Sequence, residues 1–436
     1  MRMRRVCRVY VLCVAMLLLA GIADAQEPLA FRKAVELALS QSTQMALSKA
    51  DETRAFQNYR EAHNSYFPKA AIGSDVGYAY GFPLSLEGSA PTLFNVTAQS
   101  PVWNSAQRDF TRATKSDWLA AKSQGKDQRA QVIMDTALTY IELNKWESKL
   151  PILTSELTVA ENIESNTAER VKEGIDKGVD RTKAELVLAE VRMHVTEAEG
   201  QVDVLRTRLS QFTGLPALSI RTLRDSIPTL KEEPKSNSDS AVTETNAAVA
   251  ASEQAALAKE LRAKGEHRML YPAADFAAQY GLINTSLTNF EQFFVPHSFQ
   301  PHNVTFGLVF RLPFLDSSQR ARAAAADADA LRARKEVEQT KNTIALNTVK
   351  LQHNVQYLQA ARHVADLRYQ IAANDLDAAN ARTEAETATQ RELQNAAINA
   401  AERTLERINA DFEVERAEAD LMRMRGELED WALASR

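Results

Sequence analysis

Cysteine is nearly absent from this 436-residue chain: only Cys7 and Cys13 occur, both within residues 1–25. That stretch reads MRMRRVCRVYVLCVAMLLLAGIADA, with a basic start, an apolar run from Val9 to Ala20, and Ala23-Asp24-Ala25 as a small-x-small cleavage site. It is expected to be a signal peptide removed on export. Its loss would leave 48 basic against 56 acidic side chains, a net charge of −8 in place of −5. With no thiol left in the mature chain, disulfide frameworks, cysteine metal sites and cysteine nucleophiles are excluded. A basic cluster is also lacking, which argues against nucleic acid as a partner. No later apolar run approaches the roughly 18 residues of a spanning helix. Glycine and proline are scarce at 14 and 13 residues, while Ala, Glu, Gln and Arg abound, a balance that favours long helices over a compact mixed fold.

Catalytic and ligating patterns are missing too. There is no Gly-rich phosphate loop, no His-Glu-x-x-His and no Gly-x-Ser-x-Gly, and the seven histidines include no pair at i,i+3 or i,i+4. His297 and His302 share a loop whose spacing makes a poor metal site. The Glu-rich stretches read as solvated helix faces rather than paired catalytic acids. No enzyme, metal or cofactor is expected.

What is present is an internal repetition. Ser100-Pro101-Val102-Trp103-Asn104-Ser105-Ala106-Gln107-Arg108 returns 212 residues later as Leu312-Pro313-Phe314-Leu315-Asp316-Ser317-Ser318-Gln319-Arg320. The same offset pairs Arg170 with Arg382, Ala184 with Ala396, Leu209 with Leu421, and Gly214 with Gly426. Upstream, Tyr66-Phe67-Pro68 answers Leu270-Tyr271-Pro272, and Asn95-Val96-Thr97 answers Asn303-Val304-Thr305. The expected organisation is a signal peptide at 1–25, a first repeat at 26–215, a connector at 216–239 and a second repeat at 240–436. Each repeat would run helix, strand, loop, strand, long helix, turn, helix. The connector carries Pro216, Pro228 and Pro234 followed by a Ser/Asn/Asp run, which reads as non-helical.

Within the repeats the apolar spacing is that of coiled coil. Leu143, Trp146, Leu150, Leu153, Leu157 and Ala160 alternate steps of three and four, as do Ala184, Leu188, Val191, Val195, Ala198, Val202, Leu205, Leu209 and Phe212. Helices are expected at 29–65, 104–172, 175–213, 240–268, 316–384 and 388–432. The longest, about 69 residues at ~1.5 Å each, would reach roughly 100 Å. Pro151 lies inside it and predicts a kink or a break there.

Four segments alternate apolar and polar residues with period two, around 70–80, 94–99, 274–282 and 304–311. Ala70, Ile72, Val76, Tyr78 and Tyr80 share one parity; Phe94, Val96 and Ala98 another; Phe276, Tyr280 and Leu282, and Val304, Phe306, Leu308 and Phe310, complete the set. Strands of about ten residues with one apolar face suit a membrane barrel, and a half-buried soluble sheet has the same period. Four strands cannot close a membrane barrel alone, so in lipid other copies must complete the wall. Trp103 and Trp118 suit either interfacial anchoring or ordinary packing.

Over residues 29–433 the sequence resembles the TolC family of outer-membrane efflux proteins. The resemblance rests on Ala34-Val35-Glu36-Leu37-Ala38-Leu39, Leu312-Pro313-Phe314-Leu315-Asp316, Arg170-Val171-Lys172-Glu173-Gly174 with Asp180 and Ala184, and Leu209 with Gly214. It implies a mainly α fold with a transmembrane β part. In that plan a homotrimer joins four strands per subunit into one 12-stranded outer-membrane barrel, above a periplasmic α-barrel of long helices. The implied partners are outer-membrane lipid, a periplasmic adaptor protein and an inner-membrane pump. The helix-hairpin tips, Gly174, Ile175 and Gly178 in the first half and Glu386 and Thr387 in the second, would dock the adaptor. Asp180 and Glu392 would furnish acidic rings at a channel gate, or else be solvated surface charges. Some family positions differ: the second tip lacks glycine, Asn395 replaces a ring carboxylate, and Thr383 and Ala388 stand where a latching tyrosine and arginine would be. A periplasmic coiled-coil scaffold or adaptor outside the membrane is the other reading of the same pattern.

Overall fold

The structure is a computed structural model that describes residues 28–81, 91–228, 246–385, 387 and 389–434. The expected signal peptide, residues 229–239 of the Pro/Ser-rich connector, and Glu386 and Ala388 lie outside the described residues. The elements run α1 (Phe31–Gln41), α2 (Thr43–Asn64), β1 (Lys69–Gly73), β2 (Thr92–Trp103), α3 (Ser105–Lys172), α4 (Gly178–Thr213), α5 (Ala247–Arg268), β3 (Ala273–Ile283), β4 (His302–Arg311), α6 (Ser317–Glu384), α7 (Gln390–Arg425) and α8 (Leu428–Ala432). α3 and α6 are each 68 residues long, and α4 and α7 each 36.

Four expectations need correction. The helix read over 29–65 is two, because Ser42 leaves the helical region (φ −60°, ψ 131°) and its N–H closes back on Ala38 O at 2.9 Å. The helix read over 388–432 ends at Arg425, because Gly426 takes a left-handed φ of 75°. β1 covers only Lys69–Gly73 of the strand read over 70–80. Pro151 brings no break: α3 is one helix from Ser105 to Lys172.

The chain divides into two compact units, one of residues up to 47, 127–246 and 344–436, the other of 48–126 and 247–343. In the first, α3 and α4 form a hairpin whose seam is the stripe read from the sequence. Ala184, Leu188, Val191, Ala198, Val202, Leu205 and Leu209 are buried, and Leu188 and Val191 pack on Leu157 and Ala160. Ion pairs flank the seam, Arg192–Glu161 at 3.1 Å and Arg206–Glu147 at 2.8 Å. α6 and α7 are laced similarly by Arg368–Glu406 (2.6 Å), Arg362–Asp411 (2.7 Å) and Arg407–Asp366 (3.3 Å).

The core of this unit gathers where the chain ends return. Phe31 packs edge-on against Tyr140 and Trp431, with ring centroids 5.4 and 5.3 Å away. Leu29 bridges Thr222, and the buried Tyr140 hydroxyl donates to Leu29 O (2.5 Å) while accepting from Leu223 N–H (2.8 Å). A buried hydroxyl is tolerated because it is satisfied in this way.

In the second unit the repeated Asn/Asp-Ser-x-Gln motif acquires a physical meaning. Asn104 Oδ1 accepts from Gln107 N–H at 3.0 Å and so caps α3, and Asp316 Oδ1 accepts from Gln319 N–H at 2.7 Å and so caps α6. Each glutamine then reaches to the end of the preceding helix, Gln107 Nε2 to Ala62 O and Ser65 Oγ, Gln319 Nε2 to Glu266 O and Oε2. α5 lies so close to α3 that a Cβ on Gly265 would sit 2.7 Å from the Phe110 ring. Trp118 stacks on Tyr59 (6.0 Å, 8°) and tilts against Phe56, so ordinary packing accounts for it.

Candidate functional site

Two places gather the features that the sequence singled out. The first is the antiparallel sheet, ordered β1-β2-β3-β4. Its register aligns Ile72, Val96, Tyr280 and Val304 across all four strands, and Ala70, Ala98, Ala278 and Phe306 in the next such row. Directly paired residues project to the same side, so these rows make one apolar face. The alternate rows, such as Ala71, Thr97, Gln279 and Thr305, make a polar one. Apolar side chains on the first face stand in the open: Ile72 is 73% exposed, Phe306 76% and Phe310 75%. On the other face the buried Asp275 pairs with Arg311. β1 and β4 each present an unpaired edge, since β1 bonds only to β2 and β4 only to β3 among the described residues.

β1 stops short for a visible reason. Asp75 turns its carboxylate to Thr92 Oγ1 (3.1 Å) and Asn95 Nδ2 (2.9 Å). Farther on, Ala79 N–H donates to Leu287 O (3.0 Å) and Gly81 N–H to Asn289 Oδ1 (2.8 Å), which ties the segment after β1 to the β3–β4 connection. Ala79 there meets the small cluster of Ile283, Phe290 and Phe299.

The second place is the pair of turns closing the α3–α4 and α6–α7 hairpins. Gly174 has φ 75°; its N–H donates to Val171 O (3.1 Å) and Ile175 N–H to Arg170 O (2.9 Å). Together these bonds form the helix-ending motif that favours glycine in the left-handed position. Glycine is absent from the second turn, yet Thr387 N–H donates to Arg382 O at 2.9 Å, the same six-to-one closure. Arg170 forks onto Asp176 at 2.7 and 3.2 Å. That bond, then the charge itself, holds Asp176 below the usual carboxylate range despite desolvation, and Arg391 at the start of α7 adds to the effect. Ile175 and Val179 are exposed, and Gly178 opens α4 with no atom near its missing Cβ.

Asp180 and Glu392 both stand in the first turn of a helix. Lys177 N–H donates to Asp180 Oδ2 (3.3 Å), the return half of a capping box, and Lys183 lies 3.9 Å away. Thr389 Oγ1 caps α7 by accepting from Glu392 N–H at 3.3 Å. Both acids therefore stand at a helix N-terminus, where negative charge is favourable, and the Asp180 carboxylate also closes a capping bond. The Gln107 and Gln319 clamps are the element that sequence reasoning quoted as a motif without finding its use. Among the described residues no group of three or more His, Cys, Asp or Glu is placed to hold a metal, and no helix is long and apolar enough to cross a membrane.

An exposed apolar sheet with open edges, carried on a chain of long helical hairpins, defines a known class of fold. The chain matches a membrane protein from Pseudomonas aeruginosa with a TM-score of 0.75 at 17% identity, over 93% of this chain and 94% of that one. It matches CusC, described in terms of transmembrane channel formation, at 0.73 and 13%, over 91% and 92%. It matches the outer membrane protein VceC from Vibrio cholerae at 0.72 and 16%, over 91% and 96%. No family model matches the sequence, and no curated protein matches it. The fold is that of the TolC-type outer-membrane channels.

Proposed function

We propose that the chain is the outer-membrane exit duct of a tripartite efflux or secretion system. It would be a passive channel carrying substrates from an inner-membrane pump across the periplasm and the outer membrane. The observation that carries this reading is the four-stranded sheet, apolar and exposed on one face and unpaired at both edges. An open edge in lipid leaves backbone groups unsatisfied at several kcal/mol each, so the sheet must be closed by further copies. A homotrimer with four strands per subunit gives twelve, with the apolar rows toward lipid and the Asp275–Arg311 face toward the lumen. β2, β3 and β4 have 12, 11 and 10 residues, the length a tilted strand needs to span a bilayer. The long hairpins would then line a periplasmic tunnel, and export would begin with cleavage of residues 1–25.

The tips are the proposed meeting place with a periplasmic adaptor, through Gly174, Ile175, Gly178, Glu386 and Thr387. Asp180 and Glu392 would ring the axis three times over and repel one another at a narrow gate that selects cations. Tandem duplication of 26–215 and 240–436 is supported by the equal lengths of α3 and α6 and of α4 and α7, by the paired glutamine clamps, and by the shared turn closure.

Cell fractionation tests the main reading. The full-length protein is expected in the outer-membrane fraction, extracted only by detergent and migrating as a trimer until heated. Release with the soluble periplasm would instead favour a coiled-coil scaffold. For the gate, Glu392→Gln is expected to lower cation preference in single-channel recordings; unchanged selectivity would return Glu392 to its capping turn alone.

A further inference from the structure

We propose that the groove between α3 and α7 beside Pro151 is a binding site for a small organic cation with an apolar body. The groove encloses about 350 Å³. Pro151, Ile152 and Val159 line it from α3, and Ala397, Ile398 and Ala401 from α7. It exists because α7 presents two alanines where the helices face each other, and no long side chain from either helix fills the gap. Its volume falls in the range of pockets that take small molecules.

One carboxylate enters this apolar lining, that of Glu156, with the Ser155 hydroxyl beside it. Glu156 is half-buried and makes no hydrogen bond or ion pair among the described residues, although its neighbours along both hairpins are laced by them. The charged groups that act on it are Glu402 from α7, which repels it, and His194 from α4, which opposes that repulsion. Burial is the largest influence, and it raises the Glu156 pKa above the ordinary carboxylate value. A desolvated carboxylate without a partner gains most from a cation that brings its own apolar surface.

The lining also selects among cations. Calcium or magnesium needs six or more oxygen ligands and zinc needs three or four His, Cys or carboxylate ligands, whereas this groove offers one carboxylate and one hydroxyl amid hydrocarbon. An anion would meet both Glu156 and Glu402. A neutral apolar molecule would deepen the desolvation of Glu156 without compensating its charge. The inference rests on the α3–α7 pair alone and does not depend on the membrane reading.

The test is calorimetric titration of benzyltriethylammonium into the full-length protein in non-ionic detergent at pH 7.5. Saturable binding of one cation per chain is expected, with no heat from benzenesulfonate. Glu156→Gln is expected to weaken binding by about tenfold or more, the loss of one charge–charge contact at a half-buried carboxylate. Ala401→Leu, which fills the groove, should abolish it, and Ala397→Leu is the second variant should the first fold poorly. Lowering the pH, which protonates more of Glu156, should also weaken binding. Absence of binding by the unaltered protein would mean that another copy or a partner helix covers the groove, and would overturn the proposal. Equal binding by Glu156→Gln, or by both leucine variants, would overturn it as well.

Discussion

Single residues decide how the hairpins end and how their seams respond to pH. Gly174 and Gly178 sit four positions apart in one turn and should respond oppositely to alanine. Gly174 has φ 75°, a region that costs an L-residue about 1–2 kcal/mol, so Gly174→Ala is expected to lower thermal stability by roughly that amount. Gly178 lies in the first turn of α4 with open space around it, so Gly178→Ala should be neutral or stabilising by up to ~1 kcal/mol. Melting curves of the two variants side by side check the pair. Lys149 offers a second case. It is buried on α3 with its ammonium 4.6 Å from the Trp146 ring centroid, and Lys145 lies one turn earlier. Burial first, then the Lys145 charge, draws its pKa from 10.5 down to about 8. Between those two values the unfolded lysine holds a proton that the folded one has released, so stability should rise with pH across that window. Below about pH 8 the burial penalty is fully present, each unit of displacement being worth about 1.4 kcal/mol. Lys149→Met is therefore expected to raise the melting temperature at pH 7 and to flatten the rise between pH 8 and 10.5. An unchanged slope would mean that another group titrates there.

Among the elements, the sheet carries the sharpest prediction, because neighbouring residues of one strand face opposite sides. Phe306 and Thr305 are adjacent on β4, one in the apolar rows and one in the polar rows. If the apolar rows meet lipid, Phe306→Arg places a charge in hydrocarbon at a cost of about 2–4 kcal/mol near the midplane. Its yield of heat-modifiable trimer in the outer membrane should fall sharply, whereas Thr305→Arg should assemble nearly as the parent does. Equal yields from the two would remove the lipid from the apolar side. The strand positions were legible in the sequence because the period-two pattern is strong from Phe94 to Gln99 and from Asn303 to Arg311. The early end of β1 was not legible. It follows from Asp75 binding Thr92 and Asn95, and from Ala79 joining Leu287, which are contacts made with distant segments.

Over the whole molecule, the proposed function requires more than one copy, since a single sheet has two open edges. The fold likeness extends over nine-tenths of the chain at identities of 13–17%. Within the chain, too, backbone architecture tolerates a change of side chain: without glycine the second hairpin still closes through Thr387 N–H and Arg382 O. What changes is the surface that the turn offers. Arg170 has Asp176 across its turn, whereas Arg382 donates to Ala378 O of its own helix at 3.2 Å.

Periodicity alone determined the long helices, the buried stripe of α4 and the apolar parity of the strands, because each is a local repeat set by helical or pleated geometry. Even the 212-residue offset was visible as text. Only the tertiary structure decided that Ser42 and Gly426 end helices, that Pro151 does not, and that Gln107 and Gln319 clamp the ends of preceding helices. It also decided that Asp180 and Glu392 begin helices as well as being gate candidates. The glutamine clamps depend on bonds to residues 45 and 53 positions away, which no local pattern encodes. The ends at Ser42, Gly426, Asp180 and Glu392 close on residues three or four positions away, through backbone conformations that residue type alone leaves open.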